Sequence, residues 1–234
     1  MKLVFLHIEK SAGTSQRQML KIALGDENVA WFEIDWSSEV FDLGLFEDAL
    51  IIGGHRRYNF YQNQNLVYLA VIREPYSRVL SLYNYYREHQ LSYWKEHGLD
   101  EEDINITLKR CQLFRNVIDN AQCEYISGSK NFDDTKSHIL ANKYLVADFS
   151  RIDDFNTTLS LNLGVKFCEP SRSNVGTKGY QDNILINKES EEILTTLLAE
   201  DIKLYNFISE KGIVDTTDES DWRELRSKVS NLQK

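Results

Sequence analysis

What most constrains this chain is a set of short apolar runs that do not alternate with polar residues: Leu3–Ile8, Val29–Ile34, Ala49–Ile52 and Leu66–Ile72. A strand with one wet face reads polar at every second position, whereas a strand covered on both faces reads as a continuous apolar run. Helix-compatible stretches separate the runs, so the first half predicts a parallel β-sheet of βαβ units, an α/β fold with helices flanking the sheet. A fifth run, Tyr144–Ala147, predicts one more strand, and the rest of the second half reads as mainly helical. There, Ser150 with Asp153 is expected to open a helix as a capping box, with Gly164 closing it. Ile193, Leu194, Leu197, Leu198, Ile202 and Tyr205 fall on one helical stripe, which predicts core packing. Residues 215–234 are polar and charged and predict a solvated C-terminal helix or a frayed tail. Without a repeat or a Gly/Ser/Pro-rich linker, residues 1–234 are expected to form a single α/β domain.

Several function classes fall away on the same evidence. Apolar runs such as Val67–Ile72 are far short of the ~20 residues a membrane span needs. Met1–Leu6 meets Glu9 and Lys10 too soon for a secretory apolar core of ~7–15 residues, so it reads as a buried strand. With 27 Lys and Arg against 36 Asp and Glu, the formal charge of −9 disfavours nucleic acids and anionic membranes as partners. Local basic clusters remain able to hold a small anion. Cys111, Cys123 and Cys168 show neither CxxC nor CxxH spacing, which predicts reduced, buried thiols and a cytoplasmic protein. No His/Cys/carboxylate cluster has ligand spacing, so no metal site is expected.

The most informative loop follows the first strand: His7-Ile8-Glu9-Lys10-Ser11-Ala12-Gly13-Thr14-Ser15, with a helix-like stretch from Gln16. A strand feeding a helix through small residues aims backbone N–H groups and a helix N-terminus at one spot, which favours an anion. Lys10 adds a cation, Gly13 permits close backbone approach, and Ser11, Thr14 and Ser15 offer hydroxyls. Lys10 precedes Gly13 by three residues, so this is not the Gly-Lys-Ser/Thr ending of a Walker A loop. Taken alone, a merely polar strand-to-helix turn explains the segment equally well.

A second strand-to-helix junction follows: Val71-Ile72-Arg73-Glu74-Pro75-Tyr76-Ser77-Arg78-Val79-Leu80-Ser81-Leu82-Tyr83. Pro75 suits the first turn of a helix. Arg73 at the strand end and Ser81 on the helix can converge on a second phosphate. For Arg78 a structural ion pair is as good a reading as ligand contact.

Together, the His-Ile-Glu-Lys-Ser-Ala-Gly-Thr-Ser and Ile-Arg-Glu-Pro-x-x-Arg-x-x-Ser-x-Tyr segments resemble the two cofactor motifs of sulfotransferases. The resemblance is nearest to the carbohydrate, heparan 2-O-sulfotransferase-like branch and covers residues 3–20 and 70–87 well. It implies a P-loop-like architecture and the donor 3′-phosphoadenosine 5′-phosphosulfate (PAPS), with adenosine 3′,5′-bisphosphate as product. Lys10, Ser11, Ala12, Gly13, Thr14 and Ser15 would wrap the 5′-phosphosulfate, and Arg73 and Ser81 would hold the 3′-phosphate. The sequence departs from the pattern at Glu74, where relatives often carry Asp, and at Glu9, where Pro is frequent.

A third segment, Ile51-Ile52-Gly53-Gly54-His55-Arg56-Arg57-Tyr58, is a strand ending in two glycines and turning into a histidine. The resemblance gives His55 the role of general base for in-line attack by a hydroxyl acceptor, most naturally a carbohydrate. A histidine bonded to main chain in a turn is the structural alternative. The Ala49–Ile52 strand is expected beside the first strand, which would bring His55 to the sheet edge that carries Lys10. His7 is expected inside the first strand, packed. Arg56 and Arg57 suit either an anionic acceptor or an exposed charged face. The aromatic residues Tyr58, Phe60, Tyr61, Tyr83, Tyr85, Tyr86, Tyr93 and Trp94 suit either a cleft rim or ordinary packing. A late loop, 171–178, resembles more loosely the relatives' segment that closes over the cofactor, which adds Arg172 and Lys178 to the nucleotide contacts. Two rival functions share the strand–loop–helix logic: a P-loop-like nucleotide or small-molecule kinase using Mg²⁺, and a non-enzymatic nucleotide-binding protein.

Overall fold

The computed structural model describes residues 1–32, 48–58, 65–167 and 185–232. Its frame is a six-stranded sheet with the order β2-β3-β1-β4-β5-β6. In chain order the elements are β1 (Lys2–Leu6), α1 (Gly13–Leu24), β2 (Val29–Phe32), β3 (Ile51–Gly54), β4 (Leu66–Ile72), α2 (Pro75–His89), α3 (Leu91–Glu96), α4 (Ile104–Arg110), α5 (Gln112–Ile118), α6 (Ala121–Ser127) and α7 (Phe132–Ala141). There follow β5 (Tyr144–Asp148), α8 (Ile152–Leu163), α9 (Lys188–Leu197), α10 (Ala199–Lys211), β6 (Ile213–Asp215) and α11 (Glu219–Leu232). β1 to β5 are parallel to their neighbours, and β6 runs antiparallel to β5.

The non-alternating runs have a direct cause. Successive side chains of a strand point to opposite faces, and both faces are covered here. Leu3 and Phe5 of β1, with Val67, Leu69 and Val71 of β4, pack under α1, α8 and α11. Val4 and Leu6, with Tyr68, Ala70 and Ile72, pack against α6, α7 and α10 on the other face. A third apolar cluster stands on α2 instead of the sheet, joining Val79, Leu82, Tyr83 and Tyr86 to Trp94, Phe114, Leu194 and Leu198.

Four local expectations change. The stripe from Ile193 to Tyr205 is two helices that meet at Leu198, with Leu194 and Leu198 buried at the joint. The turn before α8 is opened by Asp148, whose carboxylate accepts the Ser150 amide at 2.7 Å, and not by a Ser150–Asp153 box. A carboxylate two residues earlier in the chain reaches that amide first, as Asx turns do. Gly164 does end α8, in the left-handed conformation at φ 67°. β3 spans Ile51–Gly54 and not Ala49–Ile52, so both glycines lie inside the strand, and the Trp31 ring fills the space of a Gly53 Cβ, 2.3 Å from where that atom would sit. Finally, α11 is more than a solvated tail helix: Trp222, Leu225 and Val229 are buried in the first core, at helical spacing that the sequence already carried. Among the described residues no helix is long and apolar enough to cross a membrane.

Candidate functional site

Parallel strands deliver their carboxyl ends to one edge, and ligands of open α/β sheets bind there. β3 pairs with β1 on one side and β4 pairs with it on the other. Consequently the loop after β1, His55 after β3 and Arg73 after β4 all emerge at that edge.

The loop is held in an unusual backbone path. Lys10 (φ 64°) and Ala12 (φ 68°) both lie in the left-handed region, which costs a residue with a side chain about 1–2 kcal/mol each. Ser11 N–H bonds the Ile8 carbonyl at 3.2 Å, and the Arg73 guanidinium donates through Nη1 to the Lys10 carbonyl, also at 3.2 Å. Arg73 therefore braces the loop itself, beyond the phosphate contact expected of it. α1 begins with Ala12 as its cap, which offers no side-chain acceptor to the amides of the first turn. Among the described residues, Ser11 Oγ is buried with no hydrogen-bond partner, as are both side-chain polar atoms of Gln16. Thr14 is exposed and Ser15 partly buried.

Two cations meet beside this loop. Lys10 Nζ lies 4.3 Å from the centre of the Tyr85 ring, and the Arg73 guanidinium lies 5.3 Å from that of Phe149. Burial, then the charge of Arg73, pulls the Lys10 ammonium below its ordinary pKa, against the opposing charges of Glu9 and Glu88. Burial also lowers that of Arg73, with Arg78 adding to the effect and Glu74 opposing it. Both groups are thus destabilised as cations where they stand, the condition an incoming anion relieves. Phe149, which follows β5, had no sequence signal tying it to Arg73.

Glu74, the departure from the expected Asp, caps α2. Its two carboxylate oxygens accept the amides of Tyr76 at 3.0 Å and Ser77 at 2.7 Å, with Pro75 at the first helical position. Replacing Glu74 by Ala should destabilise the protein by about 1 kcal/mol, measured by urea unfolding, and Glu74→Asp should keep most of that stability. Ser81 sits in the second turn of α2, partly buried. Arg78 is only 1% exposed and faces inward, its Nη2 3.5 Å from the Ile118 carbonyl and its charge offsetting the burial of Asp201. That geometry favours the structural reading of Arg78.

His55 Nδ1 lies 3.0 Å from the carbonyl oxygen of His7. A carbonyl only accepts, so in this bond Nδ1 carries the proton and Nε2 is left as the basic nitrogen. The two imidazoles stack with centroids 3.9 Å apart and planes at 27°. His7 follows the end of β1 and is 7% exposed. Burial first, then the charges of His55, Lys10 and Arg17, hold His7 well below the ordinary imidazole range. Its ring also explains Gly13: a Cβ there would lie 1.6 Å from His7 Cδ2. Gly13 is thus required by a packed histidine, a reason separate from the close anion approach expected of it. His7 ties the loop to His55, a role that sequence reading missed.

Other candidates disperse. Arg57 pairs with Glu124 at 2.6 Å, and Arg56 is buried. Tyr83, Tyr86 and Trp94 are core residues, and Tyr58 packs on Tyr68 and His138. Cys111 and Cys123 are buried free thiols, each with its pKa raised first by burial. Arg172 and Lys178, with Phe60, Tyr61 and Cys168, lie outside the described residues.

Residues 1–153 match the model of the sulfotransferase family, a span that runs from β1 into α8 and contains Lys10, His55, Arg73 and Ser81. No curated protein matches the chain.

Proposed function

The chain belongs to the sulfotransferase family, and from that premise we propose that it transfers a sulfuryl group from PAPS to a hydroxyl of a carbohydrate acceptor, with His55 as general base. The observation that carries this reading is the convergence at one sheet edge of an oriented imidazole, an uncapped helix N-terminus and two cations whose charge burial disfavours. The residues suit a donor with two separate anionic groups. Ser11 Oγ is a buried hydroxyl without a hydrogen-bond partner among the described residues, just before α1, and Arg73 stands at the next strand end.

When bound, the donor supplies an activated sulfuryl group and a stable bisphosphate as leaving group. Lys10 and Ser11 to Ser15 would hold the 5′ side, and Arg73 with Ser81 would hold the 3′-phosphate, with Arg172 and Lys178 as further nucleotide contacts. His55 Nε2 takes the proton of the acceptor hydroxyl, which is a poor nucleophile until that proton leaves. The imidazolium so formed keeps its Nδ1–H on the His7 carbonyl, so the ring does not turn away between cycles. Lys10 and the first-turn amides of α1 concentrate positive charge in the loop. Donors preorganised on developing charge are worth about 3–4 kcal/mol each.

The test is transfer of labelled sulfate from PAPS to a panel of glycans and small alcohols, where label on a glycan hydroxyl is expected. A thermal shift compares the kinase alternative directly. Adenosine 3′,5′-bisphosphate at a hundred times its Kd should add about 2.7 kcal/mol of stability, while ATP with Mg²⁺ should add little. The reverse ranking, with no sulfate transferred, would sink the proposal.

A further inference from the structure

The backbone of Arg73 has an unusual partner. β4 ends at Ile72, the last residue of its ladder with β5, so the next peptide groups have no strand to bond. A side chain takes the strand's place. Gln122, near the start of α6 and fully buried, accepts the Arg73 amide on Oε1 at 2.8 Å. Through Nε2 it donates to the Arg73 carbonyl at 3.0 Å. One primary amide thus imitates the donor–acceptor pair of a neighbouring strand and fixes the backbone from which the guanidinium projects.

Gln122 is itself held by a buried joint. Its own amide and that of Cys123 donate to the Asp201 carboxylate at 3.1 and 2.9 Å. In return, Asn120 Oδ1 accepts the amides of Glu200 and Asp201 at 2.9 and 3.1 Å. The beginnings of α6 and α10 therefore cap each other. Asp201 is fully buried, its pKa raised by burial and lowered by the charge of Arg78 and by those amides. The joint recruits α10, which lies beyond the residues matched by the family model.

We propose that Gln122 is the positioning residue of Arg73 and thereby a determinant of preference for adenosine nucleotides bearing a 3′-phosphate. This rests on the reading that Arg73 holds that phosphate. The chemistry requires an amide: a carboxylate accepts from the Arg73 N–H but repels its carbonyl, a methionine does neither, and an asparagine is one methylene short.

Calorimetric titration of adenosine 3′,5′-bisphosphate and adenosine 5′-monophosphate into the wild-type protein and three variants tests it. Gln122→Met should weaken the bisphosphate about tenfold or more and the monophosphate by less than about threefold, with Arg73→Ala reducing the same ratio further. Gln122→Glu should show a reduced ratio at neutral pH. Relative to wild type at the same pH, that ratio should recover as the new carboxyl protonates and regains a donor, a rescue that a general packing defect does not show. Equal losses for both nucleotides in Gln122→Met, or an unchanged ratio in both Gln122 variants while Arg73→Ala collapses it, overturn the role of Gln122 and leave that of Arg73 standing. An unchanged ratio in Arg73→Ala overturns the assignment of Arg73, and the inference with it. Should Gln122→Met fail to fold, the pH response of Gln122→Glu decides alone.

Discussion

Replacing His55 with alanine is expected to lower turnover by ~10²–10⁴ while nucleotide affinity stays close to wild type. The size follows from the proton: without a base, the acceptor hydroxyl must attack while still protonated. The selectivity follows from geometry, since His55 bonds the His7 carbonyl and stacks on the His7 ring, while the loop keeps its own brace from Arg73. The wild-type rate should fall as pH drops through the His55 pKa, because only the neutral ring accepts a proton, and the alanine variant should lose that limb. His7 adds a second acid effect of a different kind. Its folded pKa is depressed by burial and by His55, Lys10 and Arg17, so at neutral pH it is uncharged in both states and contributes no pH dependence. Below about pH 6.5 the unfolded chain binds a proton that the folded chain resists, and stability declines. Thermal melts across the same range separate the two, for the catalytic limb must appear where the protein is still folded. Near-normal turnover in His55→Ala with an unchanged acid limb would return His55 to the role of a turn residue.

The second large effect concerns Lys10. Lys10→Ala should reduce kcat by ~10²–10³, the scale of one lost donor on developing charge, with a much smaller change in affinity for PAPS. The charge that Lys10 is proposed to meet develops on the bridging oxygen only as its bond to sulfur breaks. Stability should not suffer. The lowered Lys10 pKa means that its charge is disfavoured in the fold by burial and by Arg73, so removing it relieves an unfavourable term. Alanine keeps the same left-handed backbone, and the bond from Arg73 reaches the Lys10 carbonyl, which the variant retains. Urea unfolding should therefore show Lys10→Ala at least as stable as wild type, a site residue held at some cost to the fold. Turnover within a few-fold of wild type would remove Lys10 from the leaving-group side of the reaction.

How much of this was legible in advance depends on the distance over which each signal acts. The strands were readable because burial on both faces leaves its mark within four to seven consecutive residues, and β4, buried throughout, shows the clearest run. The helix start at Pro75 was readable for the same reason, and Glu74 shows why a departure from a motif was harmless: a longer carboxylate still reaches the amides of Tyr76 and Ser77. α11 was misjudged although Trp222, Leu225 and Val229 carry helical spacing, because the charges between them dominate the local composition.

Local patterns in the chain were enough for the buried strands, the α/β class and the two loops rich in small and cationic residues, since propensity, periodicity and capping act between near neighbours. What those loops face depends on the folded chain. His55 meets His7 across 48 positions and Gln122 meets Arg73 across 49. Gly13 was legible as a glycine, but the imidazole occupying its Cβ space was not. Arg78 was legible as a cation on α2, but its burial near Asp201 was not. Those contacts follow from the order β3-β1-β4 and from the mutual capping of α6 and α10. Strand order and helix docking are set by which buried faces fit together over the whole chain, and no local pattern of residues carries that information.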